Sequence, residues 1–219
     1  MLALEVDRDL AAQLRGTSRP RVQVITGDVL DHDLSEVVAS VFGAQMRARL
    51  VGNLPYNLSS PILASLLRAH QRAGCFLDAT LMLQLEVADR ITSAPGDRMY
   101  GPLAILTFIA AEAERVMVLP PGAFRPVPAV RSAVVRLRFR PSPIPVPNPE
   151  LLERLVRSLF TQRRKMLINA LIPLANAIGS HSPRELLDRA SLSPKRRPAT
   201  LDLEELVRLT ESVASFPGS

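Results

Sequence analysis

Short apolar runs alternate with stretches of helical period over the first 140 residues. Residues 2–6 are apolar enough for a buried strand, and 8–14 follow with helical spacing. A second run at 22–25 leads into Thr26-Gly27-Asp28, and a third at 49–52 leads into Asn53. Residues 61–73 carry apolar positions at helical period after Ser59-Ser60. The run at 79–83 predicts a fourth strand passing into a helix over 86–91. A helix over 103–112 and strands over 115–119 and 133–139 complete this part. The alternation predicts an α/β fold, with a mostly parallel sheet and helices on both faces.

The pattern then breaks. Residues 140–149 hold five prolines in ten positions. Such a stretch continues neither a strand nor a helix, so 141–149 reads as an extended linker. Beyond it every periodic segment is helical, over 149–160, 164–174, 184–190 and 203–214. Asp202 ahead of Glu204-Glu205 supplies the start signal of the last helix. The chain therefore reads as an α/β domain over 1–140 and a small helical domain over 150–219.

Composition narrows the function. Cys75 is the single cysteine, so no intramolecular disulfide and no cysteine-based zinc site can form. His32, His70 and His181 are scattered and have no partners at ligand spacing, and no metal is expected. The most apolar stretch, 103–111, is far shorter than the ~20 residues that span a bilayer. The opening MLALEVDRDL has no basic region and is acidic by its fifth residue, unlike a secretory leader. A cytoplasmic protein without membrane contact is expected. The net charge of +6 points to a polyanionic partner, although 25 of the 27 basic residues are arginine, a bias that nucleotide composition alone can produce. Clustering says more than the total. Arg163-Arg164-Lys165 and Lys195-Arg196-Arg197 are two basic triplets, both in the helical part.

Candidate chemistry sits at strand ends. Glu5, Asp28 and Asn53 follow successive predicted strands, and ligands of open α/β sheets bind at the carboxyl ends of strands. Singly, each acid reads better as a solvated loop residue; the ordered set carries the weight. The sharpest motif is Val51-Gly52-Asn53-Leu54-Pro55-Tyr56-Asn57. An adenine amine is a poor nucleophile because its lone pair is conjugated with the ring. An Asn side-chain oxygen and a backbone carbonyl beside a proline can hold that nitrogen and draw the pair out of conjugation, while an aromatic ring stacks on the extruded base. An ordinary Asn-Pro turn with a packing tyrosine is the plainer alternative.

With the blocks around that motif, the chain resembles the ribosomal RNA small-subunit adenine dimethyltransferases. LALEVDRDLAAQL, GDVL, VGNLPYNLSSPIL, LQLEVADRITSAPGDRMYGPLAIL and VLPPGAFRPVPAVRSAVVRL match in order, and FTQRRKMLINAL follows. The resemblance implies a Rossmann-like methyltransferase with S-adenosylmethionine as donor and no metal. It implies that Glu5 holds the donor ribose, Asp28 lies by its adenine, and Asn53 lies at the reacting end. Asn53, Leu54, Pro55, Tyr56 and Phe124 become the catalytic set, with Tyr56 and Phe124 flanking the target base. Phe124 is equally suited to anchoring its loop on the core. Arg163, Arg164, Lys165, Lys195, Arg196 and Arg197 become RNA contacts. Gln84, Glu86 and Arg90 become supporting residues, the last two an i,i+4 pair.

Departures are Leu85, where the family often has lysine, and Arg131, where it often has aspartate. The larger one is the expected absence of the family's first strand and glycine-rich loop, since there is no Gly-x-Gly in the chain. Without them the polypeptide is expected to bind the donor very weakly or not at all and to be unstable on its own, with an unfilled slot between the strands at 2–6 and 49–52. The implied partner is small-subunit ribosomal RNA in a pre-30S particle, met by a monomer. Two rivals stand beside this reading. One is a non-catalytic RNA-binding or assembly factor, or an inactive fragment of such an enzyme. The other is a methyltransferase of another nucleic acid, like the mitochondrial transcription-factor relatives of the family.

Overall fold

The computed structural model describes residues 1–16, 22–177 and 182–215. His181 lies outside the described residues. The chain divides into two compact units, residues 1–85 with 110–141 and residues 86–109 with 142–219.

The first unit contains β1 (Leu2–Glu5), α1 (Arg8–Gly16), β2 (Gln23–Thr26), α2 (Leu34–Phe42), β3 (Ala48–Asn53), α3 (Ser59–Ala73), β4 (Phe76–Gln84), β5 (Ala111–Leu119) and β6 (Ser132–Phe139). Helix α2 has no counterpart in the periodicity reading. Its start is nonetheless written locally. Asp33 caps it by accepting from the Ser35 N–H at 2.9 Å, and the Ser35 hydroxyl lowers the Asp33 pKa further. Helix α3 buries Ile62, Leu63, Leu66 and Leu67 and ends at Gly74, whose φ of 59° is the left-handed conformation that glycine adopts without strain. One face of the sheet is apolar and closed, with Ala79, Leu81, Leu83, Ala133, Val135 and Leu137 all buried. The other carries Arg49, bridged by Asp78 to Arg136.

The sheet is mixed rather than mostly parallel. β1 pairs with β2 and β3 with β4 in parallel, whereas β4–β6 and β6–β5 are antiparallel. The reversal arises because β6 returns between β4 and β5, giving the order β3-β4-β6-β5. The helix expected over 103–112 stops at Ala110, and β5 begins at once at Ala111. Ala111 and Glu112 favour helix locally, but their pairing with Phe139 and Arg138 across the ladder overrides that preference. β1–β2 and β3-β4-β6-β5 are separate sheets. β1 and β3 have not closed on one another, and Val51 on β3 is 86% exposed.

His70 is buried behind this sheet. Its Nδ1 accepts from the Phe76 N–H at 3.3 Å, and its ring packs 4.7 Å from that of Phe139. Burial, then the charge of Arg47, hold its pKa below 6.5, against a backbone hydrogen bond at Arg140. A depressed histidine binds fewer protons folded than unfolded, so stability rises with pH between the folded and unfolded values. The thermal midpoint is therefore expected to fall as pH drops below 6.5, and less so in His70→Gln; equal pH dependence of the two proteins would refute this assignment. Neighbouring Cys75 is buried, which raises its thiol pKa and makes it inert.

The second unit contains α4 (Leu85–Ile91, from Glu86 onward), α5 (Pro102–Ala110, to Ile109), α6 (Pro149–Thr161), α7 (Leu167–Ala170), α8 (Ile172–Ala177), α9 (Pro183–Arg189) and α10 (Leu203–Ala214). The sequence pattern grouped 86–109 with the sheet. Tyr100, Ala104, Ile105 and Ile109 instead share one core with Leu151, Leu155, Leu159 and Leu206. The single helix expected over 164–174 is two short ones. Pro173 has no N–H to donate to the preceding turn, so α7 ends at Ala170 and α8 restarts with the proline in its first turn.

Candidate active site

The motif at 53–57 is a loop between β3 and α3, and each of its backbone groups has a reason to be where it is. Asn53 closes β3 opposite Met82. Leu54 turns into the core, and its N–H donates to the Met82 carbonyl at 2.9 Å. That inward turn leaves Asn53 and Pro55 facing solvent. The Pro55 carbonyl accepts twice, from the Leu58 N–H at 3.0 Å and the Ser59 hydroxyl at 2.9 Å, which fixes the turn into α3. Among the described residues, neither the Asn53 carboxamide nor the Leu54 carbonyl is engaged in a hydrogen bond. Two adjacent, rigidly held acceptors are thus left available to an amine.

Tyr56 is half-buried, and its hydroxyl meets that of Ser132 at 2.6 Å. Phe124 ends the turn Pro121–Ala123 that follows β5, and its N–H donates to the Pro121 carbonyl at 3.1 Å. Leu119 and Gln84 both pair with Ser132, so the ends of β4 and β5 and the start of β6 lie in one row, two residues along β4 beyond the Asn53–Met82 pair. The two aromatic segments therefore leave the same end of the sheet. Ser132 lacked any local signal; only the strand pairing brings it to Tyr56.

Glu5 and Asp28 end the paired strands of the smaller sheet. One Glu5 oxygen accepts from the Asp7 N–H at 3.0 Å, and one Asp28 oxygen caps the turn Val29–Asp31 through the Leu30 N–H at 2.9 Å. The second oxygen of each carboxylate is unused among the described residues. Gly27, just before Asp28, has φ 155°, and a Cβ there would lie 3.0 Å from the His32 imidazole, which packs over the turn. Glu86 and Arg90 form the expected i,i+4 ion pair at 2.5 Å.

The basic triplets differ from expectation in detail. Arg163, Arg164 and Lys165 do not begin a helix; they occupy the turn between α6 and α7. Backbone bonds from Leu167 to Arg196 (2.7 Å) and from Ile168 to Pro194 (3.3 Å) draw the 194–197 loop alongside. Arg164, Lys165, Lys195 and Arg197 are exposed. Arg163 is half-buried and donates to the Asp97 carbonyl at 2.8 Å. Arg196 turns inward, where its guanidinium binds Glu205 and the Thr200 carbonyl. Burial acts to raise the Glu205 pKa, but Arg196 and the Asp202 N–H outweigh it and keep the carboxylate ionised. Arg196 is thus a strut of the second unit, committed to its own protein.

The fold is that of a Rossmann-like S-adenosylmethionine-dependent methyltransferase. A family model described as "Ribosomal RNA adenine dimethylase" matches residues 1–208. Ribosomal RNA small subunit methyltransferase A of Pseudomonas aeruginosa is 39% identical over 219 residues, covering 99% of this chain and 76% of that protein. Its namesake in Mesorhizobium japonicum is 37% identical, covering 97% and 75%. Among solved structures, a dimethyladenosine transferase from Plasmodium falciparum shares the fold with a TM-score of 0.73 at 20% identity, covering 95% of this chain and 79% of that one. The 23S rRNA methyltransferase ErmE gives 0.61 at 25% identity, covering 98% and 82%. The chain belongs to the ribosomal RNA adenine dimethylase family.

Proposed function

We propose that the protein methylates N6 of adenine in small-subunit ribosomal RNA, twice on each of two adjacent adenosines near the 3′ end. It would act as a monomer on a pre-30S particle in the cytoplasm; no described helix is long and apolar enough to cross a membrane. The observation that carries the reading is the pair of unengaged acceptors, the Asn53 carboxamide and the Leu54 carbonyl, in the loop that also carries Tyr56.

The residues present fit the nucleoside end of the donor. The carboxylates of Glu5 and Asp28 each keep one oxygen available for donor hydroxyl or amine groups. S-adenosylmethionine supplies an already activated methyl group, so displacement is direct and no covalent enzyme intermediate is needed. The protein's part is to orient. In the first transfer Asn53 and the Leu54 carbonyl would accept from the two N6 hydrogens and hold the nitrogen with its lone pair aimed out of the base plane; in the second a single N6 hydrogen remains for one of them, and each transfer releases one N6 proton to solvent. Tyr56 and Phe124 supply aromatic faces for the extruded base, repaying some of the unstacking cost. Arg163, Arg164, Lys165, Lys195 and Arg197 supply phosphate contacts that set register without reading sequence.

The test is transfer of labelled methyl from S-adenosylmethionine to small-subunit particles lacking the modification. Mass analysis of the nucleosides should show N6,N6-dimethyladenosine. RNA binding without any methylated product would favour the assembly-factor reading, and product at another position would favour a different nucleic-acid target.

A further inference from the structure

We propose that Ser132 is a positioning residue for the target adenine, acting through the ring of Tyr56; this rests on the methyltransferase reading above. The backbone of the catalytic loop is already fixed. Leu54 is tied to Met82, and the Pro55 carbonyl accepts from Leu58 and Ser59. What stays soft is the Tyr56 side chain, a half-buried ring with two rotatable bonds. Its one polar tether among the described residues is the 2.6 Å hydrogen bond to the Ser132 hydroxyl.

Ser132 is a firm anchor. It is fully buried, and its backbone pairs with Gln84 of β4 on one side and Leu119 of β5 on the other. The carbonyl of Arg131 beside it accepts from the Leu85 N–H at 2.9 Å, pinning the start of β6 to the end of β4. Leu119, in turn, is the last residue before the segment that carries Phe124. One serine thus reaches both aromatic elements, Tyr56 through its hydroxyl and the Phe124 segment through the ladder. A base held between two aromatic faces needs their separation kept to a fraction of an ångström for stacking and for aim at the methyl group. Ser132 is placed to set that separation. A serine inside a buried strand row would otherwise be poorly chosen, since alanine would fill the same space without a hydroxyl to satisfy.

The experiment is a double-mutant cycle of Ser132→Ala and Tyr56→Phe in the full chain. It is read by methyl transfer at saturating donor, by KM for RNA, by thermal midpoint, and by fluorescence of 2-aminopurine placed at the target position. Each single change removes the same hydrogen bond and leaves the ring present. Each is expected to lower kcat about tenfold, the worth of one hydrogen bond of ordinary strength, with KM little changed. The double mutant should be no worse than either single one. Bound 2-aminopurine should be brighter with Ser132→Ala than with wild type, because the unanchored ring stacks less; Ser132→Thr, which keeps a hydroxyl, should restore much of the quenching. Losses that multiply in the double mutant, or Ser132→Ala with wild-type kcat and fluorescence, would overturn the role of the contact alone. A wild-type chain that neither methylates the RNA nor quenches the probe would overturn the methyltransferase reading, and the role of Ser132 with it.

Discussion

Asn53→Ala is expected to lower the methyl-transfer rate by about 100- to 1,000-fold, the range associated with removing one preorganised polar group that acts in the transition state. RNA affinity should stay near the wild-type value. The carboxamide is exposed and engages no described residue, so its loss leaves no buried group unpaired. The strand register is held by backbone pairing with β4 and by the Leu54 N–H on Met82, neither of which involves the amide. The change therefore removes an acceptor and leaves the fold alone. On the proposed reading, the adenine amine of the wild type would be hydrogen-bonded to Asn53 and the Leu54 carbonyl, with its electron pair directed at the methyl group. With alanine one hydrogen is released and conjugation with the ring is restored. Single-turnover transfer at saturating donor measures the step, and filter binding measures RNA affinity. An unchanged rate would remove Asn53 from the reaction.

Neutralising Arg163, Arg164 and Lys165 together should weaken RNA binding about 10- to 100-fold near physiological salt, irrespective of sequence. Each lost phosphate contact should also reduce the slope of log K against log salt by about 0.7–0.9. The structure sharpens the comparison. Arg164 and Lys165 are exposed beside Lys195 and Arg197, so they meet solvent and counterions freely. Arg196, in the same neighbourhood, is committed to Glu205 and Thr200. Arg196→Ala should accordingly lower the stability of the helical unit, because it strands a partly buried carboxylate, with a smaller effect on the salt slope. A triple variant with the wild-type slope would make the first triplet a solvated turn and nothing more. An Arg196→Ala protein with wild-type stability would return Arg196 to the RNA surface.

The placement of the loop was legible from seven consecutive residues, because Asn53, Leu54, Pro55 and Tyr56 form one local turn out of β3 and their spacing is their geometry. The strand-end positions of Glu5 and Asp28 were legible in the same way, as was the ion pair of Glu86 and Arg90, one helical turn apart. Strand and helix positions followed from apolar period wherever the partner of an element was simply the core. Long-range pairing decided the rest. β6 inserts between β4 and β5, which makes two of that sheet's three pairings antiparallel and converts the helix-favouring Ala111 and Glu112 into strand. Residues 86–109 join the core of the helical unit because their apolar faces meet Leu151, Leu155 and Leu159, a contact no local period can show. The basic triplets read alike as charge, yet a carboxylate nine residues downstream takes Arg196 out of the surface. Ser132 stands 76 residues from Tyr56 and becomes its partner only when β6 returns to the sheet. A periodic pattern encodes which side of an element is apolar, while the energy that chooses its neighbour is shared between segments far apart in the chain.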